Sequence, residues 1–136
     1  MSRKSDELIT DRLSARWNAR SAPSVGATCV ATVAVNAGIP SGRHILDAIM
    51  GSILNRSGGQ YTVAVEVRDA SIGGTVLADF DVIADSIAAA AGANAVAFVV
   101  NPTVQGLRAS PLVVAIVPPN ASVVQKVSAS GWTENI

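Results

Sequence analysis

The stretch 60–84, QYTVAVEVRDASIGGTVLADFDVIA, decides the fold. In its first half Tyr61, Val63, Val65 and Val67 share one parity while Gln60, Thr62, Glu66 and Arg68 take the other. This is the period of two that belongs to a strand with one wet face. In its second half the apolar parity is Val76, Ala78, Phe80 and Val82, with Thr75, Asp79 and Asp81 opposite. The connector Asp69-Ala70-Ser71-Ile72-Gly73-Gly74 carries the glycines that let an antiparallel pair turn back. The two runs predict a hairpin whose apolar faces cover one core.

Working outward, 136 residues suit one domain, and a chain of this size buries roughly two-thirds of the surface its unfolded form exposes. Ten basic residues balance ten acidic ones, so no global field draws nucleic acid or an anionic membrane. Cys29 is the single cysteine, so it has no intrachain partner. Set among small apolar residues, it is expected to be a buried hydrophobe rather than a nucleophile. The amino terminus is too polar for a secretory signal. The richest apolar stretch, 87–100, is Ala-heavy and interrupted by Gly92 and Asn94. Neither a targeting sequence nor a membrane span is therefore expected. With no intrachain disulfide to form, the cell interior, or a particle assembled there, fits best.

Over 5–20, Ile9, Leu13 and Trp17 recur every four residues with Leu8 beside them, and Arg12, Arg16 and Arg20 form a second row at the same interval. This spacing predicts a helix capped by Ser5 or Asp6. A narrow apolar stripe beside an arginine row suits a docking arm, and Ser21-Ala22-Pro23-Ser24 reads as the linker that detaches it. A helix packed on its own domain is the alternative. The division is thus arm and linker over 1–24 and a β-sandwich over 25–136.

A strand is expected within 27–36. Over 43–54 helical spacing of Ile45, Ile49 and Ile53 competes with the lead-in Ile39-Pro40-Ser41-Gly42, which favours an extended entry, and a strand is chosen for 43–49. Residues 85–92 suggest one or two helical turns used as a connector. Strands follow at 95–100, at 112–117, where both parities are apolar as in a central strand, and at 122–130, before a tail that contains Trp132. About seven short strands without regular alternation with helices predict an all-β antiparallel sandwich, jelly-roll-like, with a helical or extended amino-terminal arm.

Catalytic parts are scarce. His44 is the only histidine and would have to serve any triad or imidazole metal site alone, so a surface or interface role is expected for it. No nucleophile elbow, phosphate loop, dinucleotide fingerprint or Cys/His metal spacing is present. Asp79, Asp81 and Asp85 offer hard oxygens to calcium, but without a compact calcium loop they read as a solvated strand face. No enzyme activity, cofactor or metal is expected. Of the two Trp, one Tyr and two Phe, Tyr61, Phe80 and Phe98 fall at core parities, leaving too few aromatics for single-stranded nucleic acid or sugar. Trp17 and Trp132 lie near the termini as candidate partner contacts, Trp132 alternatively as a lid on the sandwich.

Strands rich in Ala, Val, Thr and Ser, the Ile39-Pro40-Ser41-Gly42 lead-in, the Gly73-Gly74 turn, and an ending with Leu112-Val113-Val114-Ala115-Ile116 and Ala129-Ser130-Gly131-Trp132 resemble small β-sandwich structural proteins of tailed-bacteriophage virions, nearest to capsid decoration or cement proteins. The resemblance implies a protein assembled in the host cytoplasm that binds the outside of a capsid, often as a trimer, and tightens contacts between major capsid subunits. Its expected grip is Ile9, Leu13 and Trp17 with Arg12, Arg16 and Arg20, and Trp132. A receptor- or glycan-binding head domain of a fibre is the alternative from another class.

Overall fold

In the computed structural model the chain is described over residues 15–55, 61–84, 96–117 and 123–135. The strands are β1 Arg16–Arg20, β2 Ser24–Val25, β3 Cys29–Val33, β4 Arg43–Asn55 and β5 Tyr61–Asp69, then β6 Val76–Ala84, β7 Val96–Val100, β8 Val104–Gln105, β9 Leu112–Val117 and β10 Val123–Glu134. They form two antiparallel sheets, ordered β1-β10-β4-β7 and β3-β9-β5-β6, with β2 added beside β10 and β8 beside β4.

The pairings β5·β6, β4·β7, β3·β9 and β1·β10 are nested one inside the next along the chain. The protein is thus one long antiparallel hairpin, its tip at the β5–β6 loop, wrapped so that successive pairs fall alternately in the two sheets. This is a jelly-roll β-sandwich. Facing rows from both sheets fill the core: Leu46, Ile49 and Ile53 of β4 and Val123, Val127 and Ala129 of β10 meet Val63, Val65 and Val67 of β5 and Leu112, Val114 and Ile116 of β9. Fully burying each of the larger side chains is worth about 1.5–3 kcal/mol.

The predicted hairpin is present, with one shift. A bulge between Val67 and Arg68 leaves Leu77 as the extra residue, so Leu77 packs toward the core and Val76, expected inside, is exposed. Tyr61, at the expected core parity, is also exposed. At the tip a Cβ on Gly74 would lie 1.7 Å from the Asp69 carbonyl oxygen, so a side chain is excluded there, whereas one on Gly73 would meet only the Ser71 Oγ at an ordinary 3.9 Å. The 43–54 segment is strand throughout, and Leu112 to Ile116 are buried on both parities as expected of a central strand.

The amino-terminal expectation is corrected where the chain is described. Arg16–Arg20 is a strand, not the end of a helix, because β10 offers it a free edge with Trp17 opposite Gly131 and Ala19 opposite Ala129. Residues 21–24 are not a free linker either. The Ser21 amide donates to the Val127 carbonyl (2.9 Å), Ser21 Oγ accepts from the Val127 amide (2.9 Å), and Ser24 pairs with Gln125. The final strand runs on to Glu134, so Trp132 belongs to β10 and not to a tail. The connector expected at 85–92 lies outside the described residues.

Candidate interaction surface

The outer face of the β1-β10-β4-β7 sheet is set by register. Arg20, Ser128, Met50 and Val99 form one line across the four strands, and Lys126, Ser52 and Ala97 form the next. Ser128, Ser52 and Ala97 are short, so they make a low floor between the longer Arg20 and Lys126 on one side and Met50 and Val99 on the other. The result is a groove of about 450 Å³. Met50 and Val99 stand 53% and 61% exposed, among the most exposed large apolar side chains of the described chain.

The charges sort into pairs and remainders. Arg16 meets Asp47 at 3.2 Å, Arg43 meets Glu134 at 2.9 Å, and Arg68 meets Glu66 at 2.7 Å. Asp69 accepts a hydrogen bond from the Ser110 hydroxyl at 2.6 Å. Among the described residues Arg20 and Lys126, on the outer face of the first sheet, and Asp79 and Asp81, on the outer face of β6, enter none of these pairs.

Of the expected grip, Arg16 and Arg20 are exposed on the outer face of β1, while Trp17 points the other way and packs on the core. Trp17 is thus partly covered by its own domain: its ring lies over Gly131, where a Cβ would come within 2.7 Å of Cζ2, and meets His44 edge-on with centroids 5.7 Å apart. Trp132, half-buried on the outer face of β10, sits between Arg16 and Ile45. Ile9, Arg12 and Leu13 lie outside the described residues. The structure therefore places Arg16, Arg20 and Trp132 on one outer face and separates Trp17 from them.

His44, expected at a surface or an interface, is buried inside the sandwich because Asp47 is an extra residue in β4 opposite Ser130 and Gly131, which turns His44 and Leu46 inward. His44 Nε2 lies 2.9 Å from the Ala34 carbonyl, which only accepts, so Nε2 carries the proton and Nδ1 accepts from the Thr133 hydroxyl at 2.9 Å. Burial pushes the imidazole below its ordinary value, against the opposing pull of the Ala34 carbonyl. Burial also pushes the Cys29 thiol up, partly offset by hydrogen bonds from Ser21 and the backbone, which keeps it an un-ionised core residue. Gln125 was not singled out by the sequence. Its Nε2 donates to the carbonyls of Ala27 (2.7 Å) and Ile116 (3.1 Å), tying β10 to the opposite sheet. Among the described residues no three His, Cys, Asp or Glu side chains gather as metal ligands would, and no helix is long and apolar enough to cross a membrane.

The groove residues Met50, Val99 and Lys126 were also missed. Their signal was the parity of β4: once Ile49 and Ile53 face inward, Met50 must face out.

No protein-family model and no curated protein sequence matches the chain. Among solved structures it is similar to a chain of the Bacillus endospore appendages, a novel family of disulfide-linked pili, with 12% identity, 88% of each chain covered and a TM-score of 0.36. It is also similar to a chain of infectious bursal disease virus, Gx strain, with 12% identity, 88% of this chain and 28% of that one covered, and a TM-score of 0.28. For the Gt strain the values are 9%, 87%, 28% and 0.25.

Proposed function

We propose that the protein is a structural subunit of a virus particle, a decoration or cement protein of the tailed-phage kind that binds the outside of the capsid and reinforces contacts between major capsid subunits. What supports this reading is the outer face of the β1-β10-β4-β7 sheet, where exposed Met50 and Val99 share a groove with Arg20 and Lys126. An apolar patch rimmed by charge on a sheet face suits contact with another protein surface. Its partners are the major capsid protein or other virion subunits together with copies of itself, a trimer being the expected form, and neither nucleic acid nor membrane. Assembly takes place in the host cytoplasm.

In this reading Ile9, Arg12 and Leu13, in the segment before β1, grip a neighbouring subunit together with Arg16, Arg20 and Trp132. Trp17 serves the grip by holding β1 on the sheet. The experiment is to purify the intact particle and count copies of this chain against the major capsid protein. Hundreds of copies are expected; a handful would move the chain to a tail or to a fibre head domain whose loops meet a host ligand. A variant lacking residues 1–14 keeps β1 and is expected to bind undecorated shells at lower occupancy than the full chain. Equal occupancy would remove Ile9, Arg12 and Leu13 from the grip.

A further inference from the structure

We propose that the outer face of the β1-β10-β4-β7 sheet binds the outer face of β6 in a second copy of this chain, head to tail. This contact goes beyond the capsid reading and needs only the purified chain.

Among the described residues, Arg20 and Lys126 on one outer face and Asp79 and Asp81 on the other enter none of the internal ion pairs. The two faces belong to different layers of the sandwich and point away from each other, so within one copy these groups cannot meet. Between copies they can. Arg20 lies opposite Ser128, two residues along β10 from Lys126, which makes the cations diagonal neighbours about 7 Å apart at their attachment points. Asp79 and Asp81 are two residues apart on one strand face, also about 7 Å. The two pairs therefore match in spacing as well as in sign.

Both faces also carry exposed apolar side chains. On the groove side Met50 and Val99 stand across the low floor from the cations, and on β6 Ile83, 60% exposed, and Val76, 43% exposed, lie on the same outer row as the anions. A low floor of Ser128, Ser52 and Ala97 leaves room for the β6 side chains. A symmetric contact would set Arg20 and Lys126 against their own copies, or Asp79 and Asp81 against theirs, and like charges placed together repel and suppress the contact. The arrangement of charge therefore selects the head-to-tail contact over a two-fold one.

The test uses the full chain and two double variants, R20E with K126E and D79K with D81K, all four sites lying on solvent-facing strand surfaces. Folding is checked by circular dichroism, and association by sedimentation velocity at low ionic strength. The wild-type chain is expected to self-associate with concentration, each double variant to associate on the order of a hundredfold more weakly, and an equimolar mixture of the two variants to regain association, because each reversed face then meets its complement. A wild-type chain that stays monomeric, variants that associate like it through paired strand edges or any other contact, or a mixture that stays monomeric would each overturn the proposal. Salt reads the same contact without any substitution. Wild-type association must weaken as ionic strength rises, and association that strengthens with salt would also overturn it.

Discussion

At the scale of single residues, the end of the sandwich around His44 sets the sharpest expectations. The imidazole is held neutral inside the fold and its proton affinity is lowered from the ordinary 6.5 chiefly by burial. The unfolded chain therefore binds a proton near that value that the folded chain refuses, so this contribution to stability is complete above pH 6.5 and is lost as pH falls through 6.5 toward the folded value. One proton gives a slope of at most about 1.4 kcal/mol per pH unit. Denaturant titrations between neutral pH and pH 5 should show the midpoint falling with acid, and His44→Leu should flatten that dependence. The same variant leaves Thr133 Oγ and the Ala34 carbonyl without their partner, so at neutral pH it should lose about 1–3 kcal/mol. Gly131 is the neighbouring constraint: an added Cβ would stand 1.9 Å from the Ile45 carbonyl oxygen and 2.7 Å from the Trp17 ring. The carbonyl is main chain within a paired strand and cannot swing aside, so Gly131→Ala should cost about 3 kcal/mol or more in equilibrium unfolding.

At the scale of elements, what could be read from the sequence depended on which periods the residues could tell apart. The β5–β6 hairpin and β9 were legible, because alternation with charged residues on the wet face fits a period of two, and a short, Val- and Ile-rich apolar run bounded by Pro111 and Pro118 fits a covered strand better than a helix. The amino-terminal stretch was not. A repeat of four, as in Leu13 and Trp17 or Arg16 and Arg20, keeps residues on one side of a helix and equally on one side of a strand, since four is a multiple of two. The edge of β10 decided between them, and that edge is a tertiary feature invisible in residues 5–20. The inward turn of His44 and the outward turn of Val76 were hidden for another reason: each follows a bulge, and a one-residue insertion exchanges the faces of everything beyond it. Two substitutions probe these elements. Trp17→Ala should loosen β1 by about 2 to 3 kcal/mol, below the usual loss for a buried aromatic because the side chain is only partly buried and its buried Nε1 has no acceptor to lose. In the hairpin loop, Gly74→Ala should be strongly destabilising and Gly73→Ala close to neutral. Thermal melts of the two side by side would separate a required glycine from a tolerated one.

At the scale of the whole molecule, the nesting of strand pairs sets the order in which the fold can be assembled. The β5–β6 pair closes across only the loop 70–75, whereas β1 meets β10 with Arg16 opposite Trp132, almost the full length of the described chain. The entropy of closing a loop rises with its length, so each outer pair is far less costly once the pair inside it has formed. Val65 and Phe80 face each other across the innermost pair, and Ala19 and Ala129 face each other across the outermost. The contacts that reward closure therefore arrive from the tip outward, and a fold dominated by such distant pairings refolds in milliseconds to seconds rather than microseconds. Mutations should divide accordingly. Val65→Ala removes packing already present at the barrier and should mainly slow refolding, while Ala129→Gly weakens the last pair to form and should mainly speed unfolding. Stopped-flow chevrons of the two variants, with equilibrium losses above about 0.6 kcal/mol so that the ratio is meaningful, measure this directly. If Val65→Ala leaves the refolding rate untouched while Ala129→Gly slows it, the sandwich closes from its termini and the tip-first order is wrong.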